Sequence, residues 1–167
     1  MKNHVRRFYR RHEPGGIRAQ QLKAGVGATV AIAGMGLLAG FFDIPLLIAP
    51  FGASAVLVFG QARSPLAQPA NLLGGYIVAG LVTALLVGLF PGNLAMASLA
   101  VGLAISAMLI LRVSHPPAGA IPLVAHLSSM TMWTLLNVVA VGGLLLIVLA
   151  MIHHRLPPRQ AYPLHLD

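Results

Sequence analysis

The 167-residue chain has no cysteine and only three acids, Glu13, Asp43 and Asp167. Without cysteine there is no disulfide, no thiolate metal site and no cysteine nucleophile. Charged residues make up 8% of the sequence, against roughly a quarter in an average soluble domain. A soluble fold of this length exposes much of its surface and needs polar side chains to cover it. An ordinary soluble domain is therefore excluded. Disordered chains are poor in apolar residues, whereas this one is 57% hydrophobic, so disorder is excluded too. The solvent of most of the chain is lipid.

The cations that are present are unevenly placed. Of eleven Lys and Arg, seven lie in the first 23 residues. A basic flank beside apolar spans reads as a cytoplasmic anchor against anionic lipid. Nucleic-acid binding is not expected, because the basic flank reads better as a membrane anchor. Arg6-Arg7 is not read as a twin-arginine export signal, since the apolar stretch starts far downstream and no small-residue cleavage site closes it.

Four segments, 24–42, 72–90, 94–111 and 135–152, are free of charge and 18 or 19 residues long. At 1.5 Å per residue each spans about the hydrocarbon thickness. Two further apolar stretches are broken by proline: 44–60 by Pro45 and Pro50, and 113–127 by Pro116, Pro117 and Pro122. Proline removes a backbone hydrogen bond that lipid cannot replace, so such segments survive at membrane depth only inside protein or along a wet cavity. If all six segments cross and the N-terminus is cytoplasmic, every Lys and Arg falls inside and Asp43 outside. Re-entrant hairpins would instead put Arg63 and Arg112 outside. The positive-inside bias thus predicts six crossings of the cell (inner) membrane with both termini cytoplasmic.

The short broken segment is the middle one of three, twice over. Ala49-Pro50-Phe51-Gly52-Ala53 recurs as Pro116-Pro117-Ala118-Gly119-Ala120 at a shift of 67 residues, which also maps Gly75 onto Gly142. With three crossings per unit, the second unit is inverted. Inverted units with paired broken helices point to a secondary-transporter site. Proline suits the first turn of a helix, so Pro50 and Pro117 would each start a short helix running into the membrane. Their free N–H groups and positive dipole ends would converge on an anion without a buried cation. At Gly52 and Gly119 two readings stand: approach of a ligand to the backbone, or close helix packing, as expected of Gly36 and Gly40 in their G-x-x-x-G.

His115 precedes Pro116-Pro117. It either gates an anion or couples its passage to a proton, or it caps an interfacial loop. Ser54, Ser114 and Asn137 either donate to an anion or bond back to their own helices. Ser64-Pro65 and Gln68-Pro69, beside Asn71, predict a rigid turn in the loop 61–71. His126 reads as a satisfied core histidine. His153-His154 lack a third ligand for a metal site. No carboxylate lies within any span, which disfavours cation transport. No paired carboxylates, metal triad or Ser/His/Asp set suggests an enzyme. No metal or cofactor is expected.

Ser114-His115-Pro116-Pro117-Ala118-Gly119-Ala120 resembles the H-P-P signature of the HPP family of integral membrane proteins. The run from Ala49 to Leu57, followed by Ser64-Pro65-Leu66-Ala67-Gln68-Pro69 and Asn71, resembles that family's other strong block. The resemblance covers about residues 20 to 155. It implies a small membrane protein that moves nitrite or a similar anion, since chloroplast and cyanobacterial members are described as nitrite transporters. Many bacterial relatives have no assigned function. Family descriptions often count four spanning helices, whereas the charges here predict six. Some relatives carry a C-terminal CBS-domain pair; about a dozen residues follow the last span here, so no nucleotide-sensing module is expected.

The expected architecture is an all-α membrane protein of six transmembrane segments in two inverted three-segment repeats. Segments 2 and 5 are short and Pro/Gly-broken. The parts are a basic cytoplasmic segment 1–23, an HPP-type transmembrane domain 24–154 with repeats at about 24–90 and 91–154, and a cytoplasmic tail 155–167. The candidate substrate-binding residues are Pro50, Gly52, Ala53, Ser54, His115, Pro116, Pro117, Gly119, Ala120 and Asn137. The expected partners are the bilayer and a small inorganic anion. The small-residue faces around Gly36/Gly40 and Gly75/Ala79 permit intrachain packing or a homo-oligomer. The alternative function is a non-transporting scaffold or sensor that acts through the basic N-terminus; deleting residues 1–18 would abolish a scaffold's function and spare a transporter's.

Overall fold

A computed structural model describes residues 9–10 and 15–164. The expectations for residues 1–8, 11–14 and 165–167 lie outside the described residues. Six α-helices follow in order: α1 (Arg18–Phe42), α2 (Ala49–Ala55), α3 (Pro69–Leu86), α4 (Leu94–Ile110), α5 (Ile121–Leu127) and α6 (Met132–Arg155). A π-helical stretch, Val56–Gly60, prolongs α2, and a 3-10 turn, Pro116–Ala120, leads into α5. No strand occurs among the described residues.

Three helices, α1, α3 and α6, are long and apolar enough to cross a membrane. They and α4 run past, or stop short of, the apolar limits read from sequence. Helix α1 begins six residues before the predicted span at Arg18, and α6 continues to Arg155. Polar residues at these ends still make helical backbone bonds, and hydropathy does not register that. Side chains set other ends. Asn93 Oδ1 accepts from Met96 N–H at 3.1 Å and starts α4, and Thr131 Oγ1 accepts from Thr134 N–H at 3.1 Å and starts α6. Helix α4 closes with Arg112 in a left-handed conformation (φ 59°) while Val113 N–H reaches back to Met108 O at 3.0 Å. Glycine normally takes that position; an L side chain there costs roughly 1–2 kcal/mol.

The contacts sort the chain ends into two groups. At one end, Lys23 Nζ donates to Leu156 O, His154 Nε2 to Val58 O, and Tyr162 Oη to Ala67 O. Asn71 Nδ2 donates to Ser114 O at the same end. These bonds gather the start of α1, the end of the π-helical stretch, the loop 61–68, the start of α3, the end of α4 and the end of α6. At the other end, Val87, Ala97 and Ala100 form a small cluster with Ala125 and Met132 against it. That joins the end of α3, the start of α4, the end of α5 and the start of α6. Chain direction therefore reverses at each connection. Arg18, Lys23, Arg63, Arg112, Arg155 and Arg159 all belong to the first end. Asp43, beyond α1's 25 residues, lies roughly 37 Å along the helix axis from its start.

In lipid, helix association rests on close packing rather than on water exclusion. The core accordingly contains wholly buried Ala67, Ala79, Ala97, Ala100, Ala104, Ala118 and Ala150. Large apolar side chains face outward, with Phe41 and Leu127 each 82% exposed. The loop 61–68 is the rigid turn its prolines predict: a 3-10 turn spans Pro65–Ala67, and Gln68 Nε2 donates to Ala62 O at 2.8 Å and to Ser64 O at 3.0 Å.

Candidate functional site

Ser54 and His115 bring the two proline-broken segments together. Both are fully buried, and Ser54 Oγ lies 2.7 Å from His115 Nε2. On its other side Ser54 Oγ lies 2.7 Å from Tyr76 Oη of α3. His115 Nδ1 lies 2.8 Å from Leu66 O in the loop 61–68. A carbonyl only accepts, so Nδ1 carries the ring proton and Nε2 of the neutral ring accepts from Ser54 O–H. Ser54 in turn accepts from Tyr76 O–H. One directed chain of hydrogen bonds thus runs from Tyr76 through Ser54 and His115 to Leu66. It ties segment 2, α3, segment 5 and the loop, and leaves no ring nitrogen of His115 unpaired.

The remaining candidates divide around this junction. Pro50 lies in the first turn of α2, and Pro116 and Pro117 open the 3-10 turn. Pro50 and Pro117 are buried, whereas Gly52 and Ala53 are exposed on α2's other side. Gly119 and Ala120 are half-buried along a cavity of about 490 Å³ between α4 and segment 5. Asn137 is exposed, and its Nδ2 donates to Trp133 O at 2.8 Å within its own helix; the structure places it apart from the junction. Helix α2 packs against the 3-10 turn, and the polar contact at this meeting is made by side chains. The last turn of α2, through Ser54, meets His115, the residue of segment 5 that precedes its 3-10 turn. The space beside it is filled by wholly buried Phe51, Ala118 and Ile121.

Glycines position both broken segments. A Cβ on Gly75 of α3 would lie 2.6 Å from His115 Cβ, and one on Gly142 of α6 would overlap the Phe51 ring. Each half's third helix thus holds the other half's broken segment. Gly75 is consumed by this intrachain contact and Ala79 is wholly buried, so that face is not open to a second copy. By contrast, nothing lies within 4 Å of a Cβ on Gly52, and only Ile105 Cγ1, at 3.8 Å, approaches one on Gly119. Close packing within the chain does not account for these two. Gly36 packs against Leu47, while Gly40 meets no neighbour.

Tyr76 is absent from the sequence-based candidates. The signal was available: it is the one tyrosine inside an apolar span, and a buried phenol needs a partner. His126 departs from expectation, since its buried Nδ1 finds no partner among the described residues. His153 and His154 have ring centroids 4.8 Å apart, and no group of three His, Cys, Asp or Glu able to hold a metal occurs among the described residues.

A family model described as HPP, transmembrane region, matches residues 14–163. Two transmembrane proteins of Dictyostelium discoideum are similar: one is 38% identical over 70% of this chain and 40% of its own length. The other is 33% identical over 74% of this chain and 46% of its own length. The chain thus spans less than half the length of these curated relatives. No solved structure matches it.

Proposed function

The chain belongs to the HPP transmembrane family, and from that premise we propose that it passes a small monovalent anion, nitrite first among them, through the Ser54–His115 junction. The observation that carries this reading is the 2.7 Å contact between those two residues, one from each broken segment. The serine hydroxyl is a neutral donor to an anion once its bond to His115 Nε2 opens, while the imidazole N–H on Nδ1 stays with Leu66 O. No carboxylate belongs to any of the helices around them. A cation there would lack the acidic partners that intramembrane sites use.

The proposed topology is six crossings in two inverted repeats, with the cation-rich end cytoplasmic. Three observations support it: the reversal of direction at each connection, the gathering of cations at one end, and the reciprocal contacts of Gly75 and Gly142. The 12 helical residues of each broken segment reach only about 18 Å. Non-helical residues, 44–48 and 113–115, lengthen each one. Their backbone is tolerable at depth because it is covered by protein: Leu46, Ile48 and His115 are buried.

In the observed arrangement Phe51, Ala118 and Ile121 close the junction, so passage requires the broken segments to part. Parting breaks the Ser54–His115 bond and releases the hydroxyl for the anion. A proton taken up at Nε2 would turn that nitrogen from acceptor to donor and add a positive charge, which couples opening to a proton. Nitrite uptake into proteoliposomes tests this reading. His115→Ala and Ser54→Ala should each lower uptake at least tenfold, with the helical circular-dichroism spectrum retained. Unchanged flux in both variants, or sodium flux in preference to nitrite, overturns it.

A further inference from the structure

We propose that the cavity between α4 and segment 5 is a binding site for an anionic phospholipid, with an acyl chain along the cavity and the headgroup phosphate on Arg112. The cavity, about 490 Å³, is walled by carbon of Ile105, Met108, Leu109, Gly119 and Leu123. It follows α4 from Val101 to Leu109, roughly 12 Å at 1.5 Å per residue. Its length along a spanning helix suits an extended hydrocarbon chain. Its carbon lining offers a free inorganic anion nothing.

Arg112 lies in the turn between two lining residues, Leu109 and Ser114, at the end of the molecule where the cations gather. Its left-handed backbone, φ 59°, is the second observation. The turn that closes α4 is one that glycine makes without strain, yet an arginine occupies it and is exposed. Among the described residues no acid serves that charge: Asp43, the one described acid, closes the opposite end of α1. A second copy packed in parallel would hold its own Asp43 equally far away. An anionic lipid supplies both complements together, a chain for the cavity and a phosphate for the guanidinium. Basic sites between spanning helices at the cytoplasmic face are suited to anionic headgroups for this electrostatic reason.

The test needs no transport assay and stands apart from the flux reading. The full chain, purified in uncharged detergent, is titrated with dioleoyl phosphatidylglycerol, with dioleoyl phosphatidylcholine and with inorganic phosphate. Bound lipid is counted by native mass spectrometry and stability is followed by thermal unfolding. The wild type should retain phosphatidylglycerol about fivefold more tightly than phosphatidylcholine, the worth of one cation near a headgroup. Arg112→Gly, which keeps the turn and relaxes its backbone, should fold at least as well and bind the two lipids equally. Arg112→Lys should keep most of the preference. Ile105→Trp, which fills the cavity, should weaken both lipids. A wild type with no preference, a preference that survives Arg112→Gly, or an equal thermal shift from inorganic phosphate alone overturns the proposal.

Discussion

The ring of Phe51 lies so close to Gly142 that a methyl group on that glycine would overlap it. Its counterpart is Gly75, where a methyl group would run into His115. The 67-residue shift that pairs the two P-x-G-A motifs also pairs these two glycines. In each half, the third helix gives up a side chain so that the other half's broken segment can lie against its backbone. The halves are interlocked, and a change at either glycine acts on the partner half first.

Gly142→Ala should therefore destabilise the protein. Overpacking of this kind costs about 1–3 kcal/mol, against a gain of about 0.5–1 kcal/mol from replacing a mid-helix glycine by alanine. Thermal unfolding in detergent should show a lowered midpoint, and Phe51→Leu in the same chain should restore part of it. Gly52→Ala, where nothing stands within 4 Å, should leave the midpoint unchanged or raise it.

The direction of the hydrogen-bond chain predicts an order of effects. Ser54→Ala leaves both His115 Nε2 and the Tyr76 hydroxyl buried and unpaired, at about 1–3 kcal/mol for each such group. Tyr76→Phe removes a donor to Ser54 but leaves the Ser54–His115 bond intact, so it should cost about 1 kcal/mol. Denaturant or thermal unfolding of the two variants should rank Ser54→Ala as clearly the more damaging. Equal losses would contradict the assigned direction.

The six helices were legible because uninterrupted apolar length and proline breaks are local properties of the chain. Ser54 and His115 were legible because each is the polar residue directly beside one copy of the motif that occurs twice. The third member of the chain, Tyr76, pairs with a residue 22 positions away, and no local pattern encodes that distance. Asn137 marks the opposite limit. Helix α6 is apolar nearly all round, so nothing in its periodicity says which side a lone polar residue faces. The meeting of Ser54 with the start of segment 5 depends on how far the antiparallel segments overlap. That overlap is set by Phe51 against Gly142, a contact between positions 91 residues apart.

Asn137→Leu follows from that placement. The side chain is exposed and satisfied by Trp133 O one turn back, so its loss should change stability by no more than about 0.5 kcal/mol. Nitrite uptake should equal that of the wild type. A large loss of uptake would return Asn137 to the anion path and require α6 to rotate.

The sidedness of the proposed topology can be read with single cysteines, which the native sequence leaves free to introduce. Arg63 is exposed in the loop 61–68 and Asn93 in the connection at the opposite end. In whole cells an impermeant thiol reagent should label Asn93→Cys and spare Arg63→Cys until the membrane is opened. Labelling of position 63 in intact cells would favour re-entrant segments.

The tail beyond α6 folds back under the rest of the molecule, and Lys23 holds its first turn. Lys23 Nζ donates to Leu156 O at 2.6 Å and to Pro158 O at 3.0 Å. Further along, Tyr162 Oη donates to Ala67 O at 3.0 Å and Leu164 N–H to Gln68 Oε1 at 2.9 Å. Burial pushes the Tyr162 phenol up to about 12, so it remains a donor throughout the physiological range. Lys23→Met keeps the apolar stem and removes both bonds to the tail. Amide exchange at Leu156, Arg159 and Gln160 should then quicken about tenfold, while residues within α3 and α6 keep their protection. Tyr162→Phe should loosen residues 161–164 and leave 156–160 as they are, because the two anchors grip different parts of the tail. Loosening of the whole tail by either change alone would show instead that it docks as one cooperative unit.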